Sequence, residues 1–188
     1  MTRSQSASKY VALLRGVNVG GRNLIAMPDI AEMFIRASCT GVRTYIQSGN
    51  VVFSAAKDVA EKLPSRIEKE IWDRCFCRTT VILRSAAQVR AIIRNNPFLK
   101  AGAADNMLHV MFLAGAPEPA RAASLDPDRS PPDAFIVRGQ EIYLQLPNGA
   151  GRSKLTNSYF DAKLATVSTM RNWRTVVTLS ELMTLPAD

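Results

Sequence analysis

The sequence predicts an α+β protein built from two tandem ferredoxin-like (split βαβ) halves, the second imperfect, over residues 9–95 and 106–185. Three observations predict it. Apolar residues switch repeatedly between twofold alternation and i, i+3, i+4 spacing, the periods of strands and helices. The first 84 residues spell βαββαβ, the order of a split βαβ unit. The order β, α, β, β, α then recurs after a connection over residues 96–106.

Residues 9–15 alternate and read as a strand. Met27, Ile30, Ala31, Phe34 and Ile35 mark one face of a helix with Pro28 in its first turn. Val42 to Gln47 and Asn50 to Ser54 are β-rich runs joined by Ser48-Gly49, a hairpin signal. Leu63, Ile67, Ile71 and Cys75 are spaced four apart on a longer helix, where Pro64 must lie in an early turn or kink the axis. Thr79 to Arg84 is a further strand. Ser85-Ala86-Ala87-Gln88 is a capping box opening a helix with Val89, Ile92 and Ile93 inward, and that helix ends before Pro97.

In the second half the predicted strands are His109 to Leu113, Ala134 to Val137 and Ile142 to Leu146. The predicted helices are Pro117 to Ser124, Leu155 to Leu164, and a last one presenting Val176, Leu179 and Met183. Asp126 to Asp133 reads as a loop inside this half. No sequence repeat between the halves is visible by eye.

Composition bounds the function. With 188 residues, 47% hydrophobic and 21% charged, the chain can bury a sizeable core. No apolar run approaches the roughly 20 residues that span a bilayer, so no membrane partner is expected. The opening Met1 to Ser8 is polar and predicts a frayed tail rather than a signal peptide. Cys39, Cys75 and Cys77 are odd in number and lack zinc spacing, which predicts a reduced, cytoplasmic setting and buried thiols. Residues 1–94 carry 15 Lys and Arg against 7 Asp and Glu, whereas residues 95–188 carry 9 of each. Arginines outnumber lysines 17 to 7, and guanidinium suits bidentate phosphate or carboxylate recognition. An Ala- and Arg-rich genome gives the same bias without any ligand.

Three polar segments are candidate binding elements. The first is the loop Arg15-Gly16-Val17-Asn18-Val19-Gly20-Gly21-Arg22-Asn23, between a strand and a helix, where glycines can turn backbone N–H groups toward an anion. It lacks both the GxGxxG spacing and a Walker lysine, so it names no cofactor. The second is Asn148-Gly149-Ala150-Gly151-Arg152-Ser153-Lys154, which sets two cations and a hydroxyl at an expected helix N-terminus; Ser153 alone would suffice as an N-cap. With one such loop per half, a pseudo-symmetric arrangement would let both face a shared cleft. The third is Arg171-Asn172-Trp173, expected as a loop whose indole stacks on a base or plugs the core. The turn Gln47-Ser48-Gly49-Asn50 adds amides near the first loop, or is simply a turn that needs small residues.

Catalytic machinery is thin. His109 is the single histidine and sits in a strand, which predicts a satisfied structural role. No cluster suggests a metal, no serine has an elbow, and no cofactor is implied. Catalytic residues cannot be named.

The segments Leu13-Leu14-Arg15-Gly16-Val17-Asn18-Val19-Gly20-Gly21, Tyr45-Ile46-Gln47-Ser48-Gly49-Asn50-Val51-Val52-Phe53, Gly151-Arg152-Ser153-Lys154-Leu155-Thr156-Asn157 and Arg171-Asn172-Trp173 resemble the signatures of the mostly bacterial domain-of-unknown-function family 1697. The resemblance runs from about Tyr10 to Leu182. It departs at Met170, where a threonine is expected, and at Pro64. It implies a small α+β protein with ferredoxin-like halves and brings no activity, substrate or catalytic residue.

Three functions compete. A binding module would take a phosphate-bearing small molecule, such as a nucleotide, or nucleic acid through the Gly/Arg/Asn loops. An enzyme would act on a phosphorylated or carboxylated metabolite in a cleft between the halves. A structural module would oligomerise through sheet edges. The sequence assigns no oligomeric state.

Overall fold

The computed structural model describes residues 7–18 and 24–186. These residues divide into two compact units. One comprises those up to Arg90 together with those from Leu179, and the other is Ala91–Thr178.

In the first unit, β1 (Ser8–Leu14) leads to α1 (Met27–Arg36), then β2 (Thr40–Tyr45), β3 (Asn50–Ala55), α2 (Lys57–Cys75) and β4 (Val81–Ser85). The four strands form one antiparallel sheet in the order β2-β3-β1-β4. One sheet face packs Ala12, Leu14, Val51, Phe53 and Val81 against the apolar faces of α1 (Ile30, Met33, Phe34) and α2 (Leu63, Ile67, Ile71). Burying each of these large side chains contributes roughly 1.5–3 kcal/mol. That burial carries α2 through Pro64, which lies inside the helix, about two turns in, where a proline costs about 3 kcal/mol. α3 (Ala86–Arg94) follows β4 without a break. Its capping box is formed: Ser85 N–H donates to Gln88 Oε1 (2.8 Å) and Gln88 N–H to Ser85 Oγ (3.3 Å).

α4 (Pro97–Lys100) is a single turn capped by Asn96, whose Oδ1 accepts from Phe98 and Leu99 N–H. The second unit then runs β5 (Leu108–Leu113), α5 (Pro119–Ala123), β6 (Ala134–Arg138), β7 (Glu141–Gln145), α6 (Asn157–Leu164), β8 (Ser168–Asn172) and α7 (Trp173–Leu182). Its sheet order is β6-β7-β5-β8, again antiparallel throughout. Met111, Leu113, Ile142, Leu144, Leu155, Phe160 and Leu164 form its core. The opposite face of each sheet is buried as well, through Val11, Leu13, Val52 and Ile82 in the first and Val110, Phe112 and Tyr143 in the second. The division between units falls inside α3 and inside α7. No helix among the described residues is long and apolar enough to cross a membrane.

The second half is therefore complete, not imperfect: β8 supplies the missing sixth element. Its inward residues hide it from hydrophobic periodicity because Ser168, Thr169 and Arg171 are polar yet buried. They are satisfied by hydrogen bonds. Ser168 Oγ donates to Asp161 Oδ1 (2.6 Å) and accepts from Asn157 Nδ2 (2.9 Å), and Arg171 Nη1 donates to Thr169 Oγ1 (2.7 Å).

The two halves repeat in detail. Leu14 N–H donates to Gly49 O (2.8 Å), as Leu113 N–H does to Gln140 O (2.9 Å). Arg15 N–H donates to Thr80 O (2.9 Å), as Ala114 N–H does to Val167 O (2.8 Å). Arg84 lies opposite Val11 and Arg171 opposite Val110, each followed by a helix cap, Ser85 or Asn172.

Candidate functional site

The first glycine loop begins where β1 leaves the sheet. Arg15 is held on both sides by its backbone, through its N–H to Thr80 O (2.9 Å) and its carbonyl, which accepts from Thr79 Oγ1 (2.8 Å). Gly16 is exposed and Val17 is buried in the core, which pins the loop to the sheet end. Asn18 has a positive φ of 56°, a conformation asparagine tolerates better than most residues. Its amide clasps Ile25 in both directions: Ile25 N–H donates to Oδ1 (2.8 Å) and Nδ2 donates to Ile25 O (2.9 Å). Asn18 is thus the latch of this loop. Gly20, Gly21, Arg22 and Asn23 lie outside the described residues.

The β2–β3 turn meets this loop. Gly49, with φ of 71°, accepts from Leu14 N–H, and a Cβ there would stand 2.8 Å from Leu14 Cβ and 3.5 Å from Val17 Cβ. Asn50 is fully buried and braces the turn, its Nδ2 donating to Tyr45 O and Ser48 Oγ (both 3.1 Å). Gln47 is exposed and Ser48 half-buried. Arg15 to Asn18 and Gln47 to Asn50 therefore sit together at one end of the first sheet, beside the 76–80 segment that leads into β4. In the sequence that segment stands out only for its cysteines. The missed signal is Trp72 and Phe76, spaced i, i+4 and off the buried stripe of Leu63, Ile67 and Ile71.

In the second unit, Asn148 to Lys154 and Arg171 to Trp173 also share a sheet end, since β5 pairs Leu108 with Gln145 and His109 with Asn172. Asn148, Gly149, Gly151, Arg152 and Lys154 are exposed. The loop opens into a 3-10 turn, Ala150–Arg152, rather than a helix. α6 starts only at Asn157 with Thr156 as its cap, so Ser153 is neither an N-cap nor a hydroxyl at a helix N-terminus. Instead Ser153 Oγ accepts from Leu155 N–H (3.0 Å), and Lys154 N–H donates to Ser130 Oγ (3.0 Å).

The third segment is not a loop. Arg171 is buried on β8, donates from Nη1 to Met170 O (2.9 Å) as well as to Thr169, and burial pushes its pKa down to about 10. Asn172 Oδ1 caps α7 by accepting from Thr175 N–H (2.8 Å). Trp173 is the first residue of α7 and is 2% exposed, so it fills the interior instead of offering a stacking face. His109 is not fully satisfied as expected: its Nδ1 is buried with no well-formed hydrogen bond among the described residues, and burial lowers its pKa, with the Met107 backbone opposing that shift in part. Cys39 is buried, with its thiol pushed up to about 11, while Cys75 and Cys77 are half-buried at the core edge.

The two glycine loops occupy different places in the repeat. By strand position, the counterpart of the first loop is Ala114 to Glu118, after β5; the second glycine loop follows β7. They are not copies of one element.

Two βαββαβ units, each with a four-stranded antiparallel sheet, define a mixed α/β protein of two like halves. The chain belongs to the family described as "Protein of unknown function (DUF1697)", which matches residues 7–143. That match contains the first loop and the β2–β3 turn, while Gly151 to Asn157 and Arg171 to Trp173 fall beyond it. No curated protein matches the chain. Among solved structures, a conserved bacterial protein from Streptococcus pneumoniae is similar over 96% of this chain and 100% of its own, with a TM-score of 0.69 and 19% sequence identity. That likeness concerns the fold.

Proposed function

We propose that this protein binds a phosphate-bearing ligand, a nucleotide or a nucleic acid, at the end of the first sheet, on a scaffold of two ferredoxin-like halves. The observation that carries the reading is the convergence of Arg15 to Asn18 with Gln47 to Asn50. Arg15 is clamped by its own backbone between Thr79 and Thr80, and the loop is latched by Asn18. A cation on a pre-ordered backbone loses little freedom when it binds an anion. The first 94 residues also carry the whole positive excess, 15 basic against 7 acidic side chains, which draws polyanions. Arg152 and Lys154 are exposed and offer a second set of cations.

The test is a thermal-shift screen of nucleotides, sugar phosphates and short oligonucleotides, followed by titration at several salt concentrations. Nucleic-acid affinity is expected to fall steeply with salt as phosphate contacts release counterions. Arg15→Ala is expected to weaken binding about tenfold, the loss typical of one charged hydrogen-bonded contact. Equal binding by Arg15→Ala and the wild type would sink the site assignment.

A further inference from the structure

The C-terminal end of α2 displays aromatic side chains where stability alone disfavours them. Phe76 ends the helix in the left-handed conformation (φ 52°), a region that penalises any residue with a Cβ and that glycine usually fills at this position. The residue is 77% exposed, so it gains little from burial. Trp72, one turn earlier, is 42% exposed and meets Phe76 edge-to-face, with ring centroids 6.0 Å apart. Arg78 places its guanidinium over the indole, 5.5 Å from the centroid. Strained, exposed aromatic residues of this kind point to a ligand, not to packing.

The surrounding charge says which ligand. Of the carboxylates on this end of α2, Asp73 is matched by Lys69 and Glu70 by Arg36 and Arg74. Arg78 makes no ion pair among the described residues. The segment it begins runs directly to Thr79 and Thr80, which hold Arg15. Flat rings beside a cation without a carboxylate partner, on the positively charged half of the chain, complement unstacked bases on a phosphate backbone.

We infer that Trp72, Phe76 and Arg78 form a stacking platform for single-stranded nucleic acid, with the strand's phosphates directed toward Arg15. This rests on the phosphate-binding reading above for the direction of the strand, but the platform stands on its own observations. A base stacks on Phe76 or on the free part of the indole. Arg78 contacts the adjoining phosphate.

The test uses labelled single-stranded DNA and RNA oligonucleotides, read by anisotropy with the full chain. Phe76→Gly is the decisive variant because it relieves the left-handed strain while deleting the ring. It is expected to be at least as stable as the wild type and to bind about tenfold more weakly, as loss of one stacked base requires. Its salt dependence is expected to be unchanged, whereas Arg78→Gln lowers the salt slope by about one counterion. Trp72 emission is expected to be quenched on binding, with buried Trp173 as the silent reference.

Full affinity in Phe76→Gly, or no binding of single strands by the wild type, would overturn the platform. So would aromatic variants that alter only self-association in sedimentation, since that outcome assigns the patch to a protein interface. If Arg15→Ala loses binding and Phe76→Gly does not, the platform fails and the loop site stands. The reverse result removes the loop site and keeps the platform.

Discussion

The hairpin turns of the two halves perform one task with different tolerances. Each hands a carbonyl to the central strand, Gly49 O to Leu14 N–H and Gln140 O to Leu113 N–H. The second half does this with a two-residue turn, Gly139-Gln140, between Arg138 and Glu141. The first uses four residues, Ile46 to Gly49, with positive φ at both Ile46 and Gly49. That longer turn folds down onto the end of β1, so the residue that makes the bond has no room for a side chain. In the second half the same position holds a glutamine. A shared hydrogen bond therefore does not imply a shared packing constraint, and the tight version is the one beside the candidate site.

The largest expected effect breaks this comparison directly. Gly49→Ala combines left-handed strain with a Cβ 2.8 Å from Leu14 Cβ and 3.3 Å from Leu14 O. We expect a loss of about 3–4 kcal/mol from strain plus overpacking. Gly139→Ala shares the positive φ but meets nothing within 4 Å, so about 1–2 kcal/mol is expected from strain alone. Urea denaturation of both variants measures the gap. Equal losses would mean that the close approach to Leu14 is relaxed at no cost.

The loops that follow the central strands differ in the same direction. After β5, Gly115 N–H donates to Thr166 Oγ1 (3.2 Å), a single side-chain bond. After β1, Asn18 makes two bonds to Ile25. Asn18→Ala leaves both Ile25 groups without that partner and puts alanine, which tolerates the left-handed region less well than asparagine, at φ 56°, at an expected cost of about 2–3 kcal/mol. Asn18→Gly keeps the conformation and loses only the latch, so it should lie closer to wild type. Amide exchange at Ile25 reports latch opening in either variant, and unchanged protection would refute the latch.

Helix entry gives a smaller contrast. α3 is capped reciprocally by Ser85 and Gln88, while α7 is capped by Asn172 accepting from Thr175 N–H. Ser85→Ala and Asn172→Ala are each expected to cost about 1 kcal/mol. Adding Gln88→Ala to Ser85→Ala should deepen the first loss. Circular dichroism melts of the three variants decide whether the box is cooperative.

The sequence made these features legible to different degrees. The capping box of α3 stands out by its residue types, the apolar stripes of α1 and α2 by their helical spacing, and the strands β1, β3, β5 and β7 by short runs of apolar residues. β8 does not, since its buried positions are a serine bonded to residues of α6 and a threonine and an arginine bonded to each other, none of which carries an apolar signal. Ser153 is a related case: the end of a 3-10 turn and a helix cap share the same local chemistry, and only tertiary packing separates them. Gly16 marks the point where the chain leaves β1. It does not show that Asn18 faces its own backbone, because a latch between residues 18 and 25 has no periodic signature. Phe76 and Trp72 were legible only as aromatics outside the buried stripe.

The last contrast concerns protons. Tyr10 pairs with Ser85 across β1 and β4, and His109 pairs with Asn172 across β5 and β8, so the two residues are equivalent. Tyr10 stacks on Phe53 with centroids 5.8 Å apart, whereas His109 buries an Nδ1 with no well-formed hydrogen bond among the described residues. Burial lowers the His109 pKa below its ordinary 6.5, because charging the ring there means desolvating a cation. The folded state then binds fewer protons than the unfolded chain. The stability His109 contributes is present above pH 6.5 and is lost as pH falls from that value toward the lower folded pKa. His109→Gln should flatten that part of the stability profile, and His109→Tyr would place the first half's residue in the second. Stability of wild type and variants across pH 7.5 to 5 is the measurement. With one histidine in the chain, a slope near pH 6 that persists in both variants would belong to another group and would overturn the assignment.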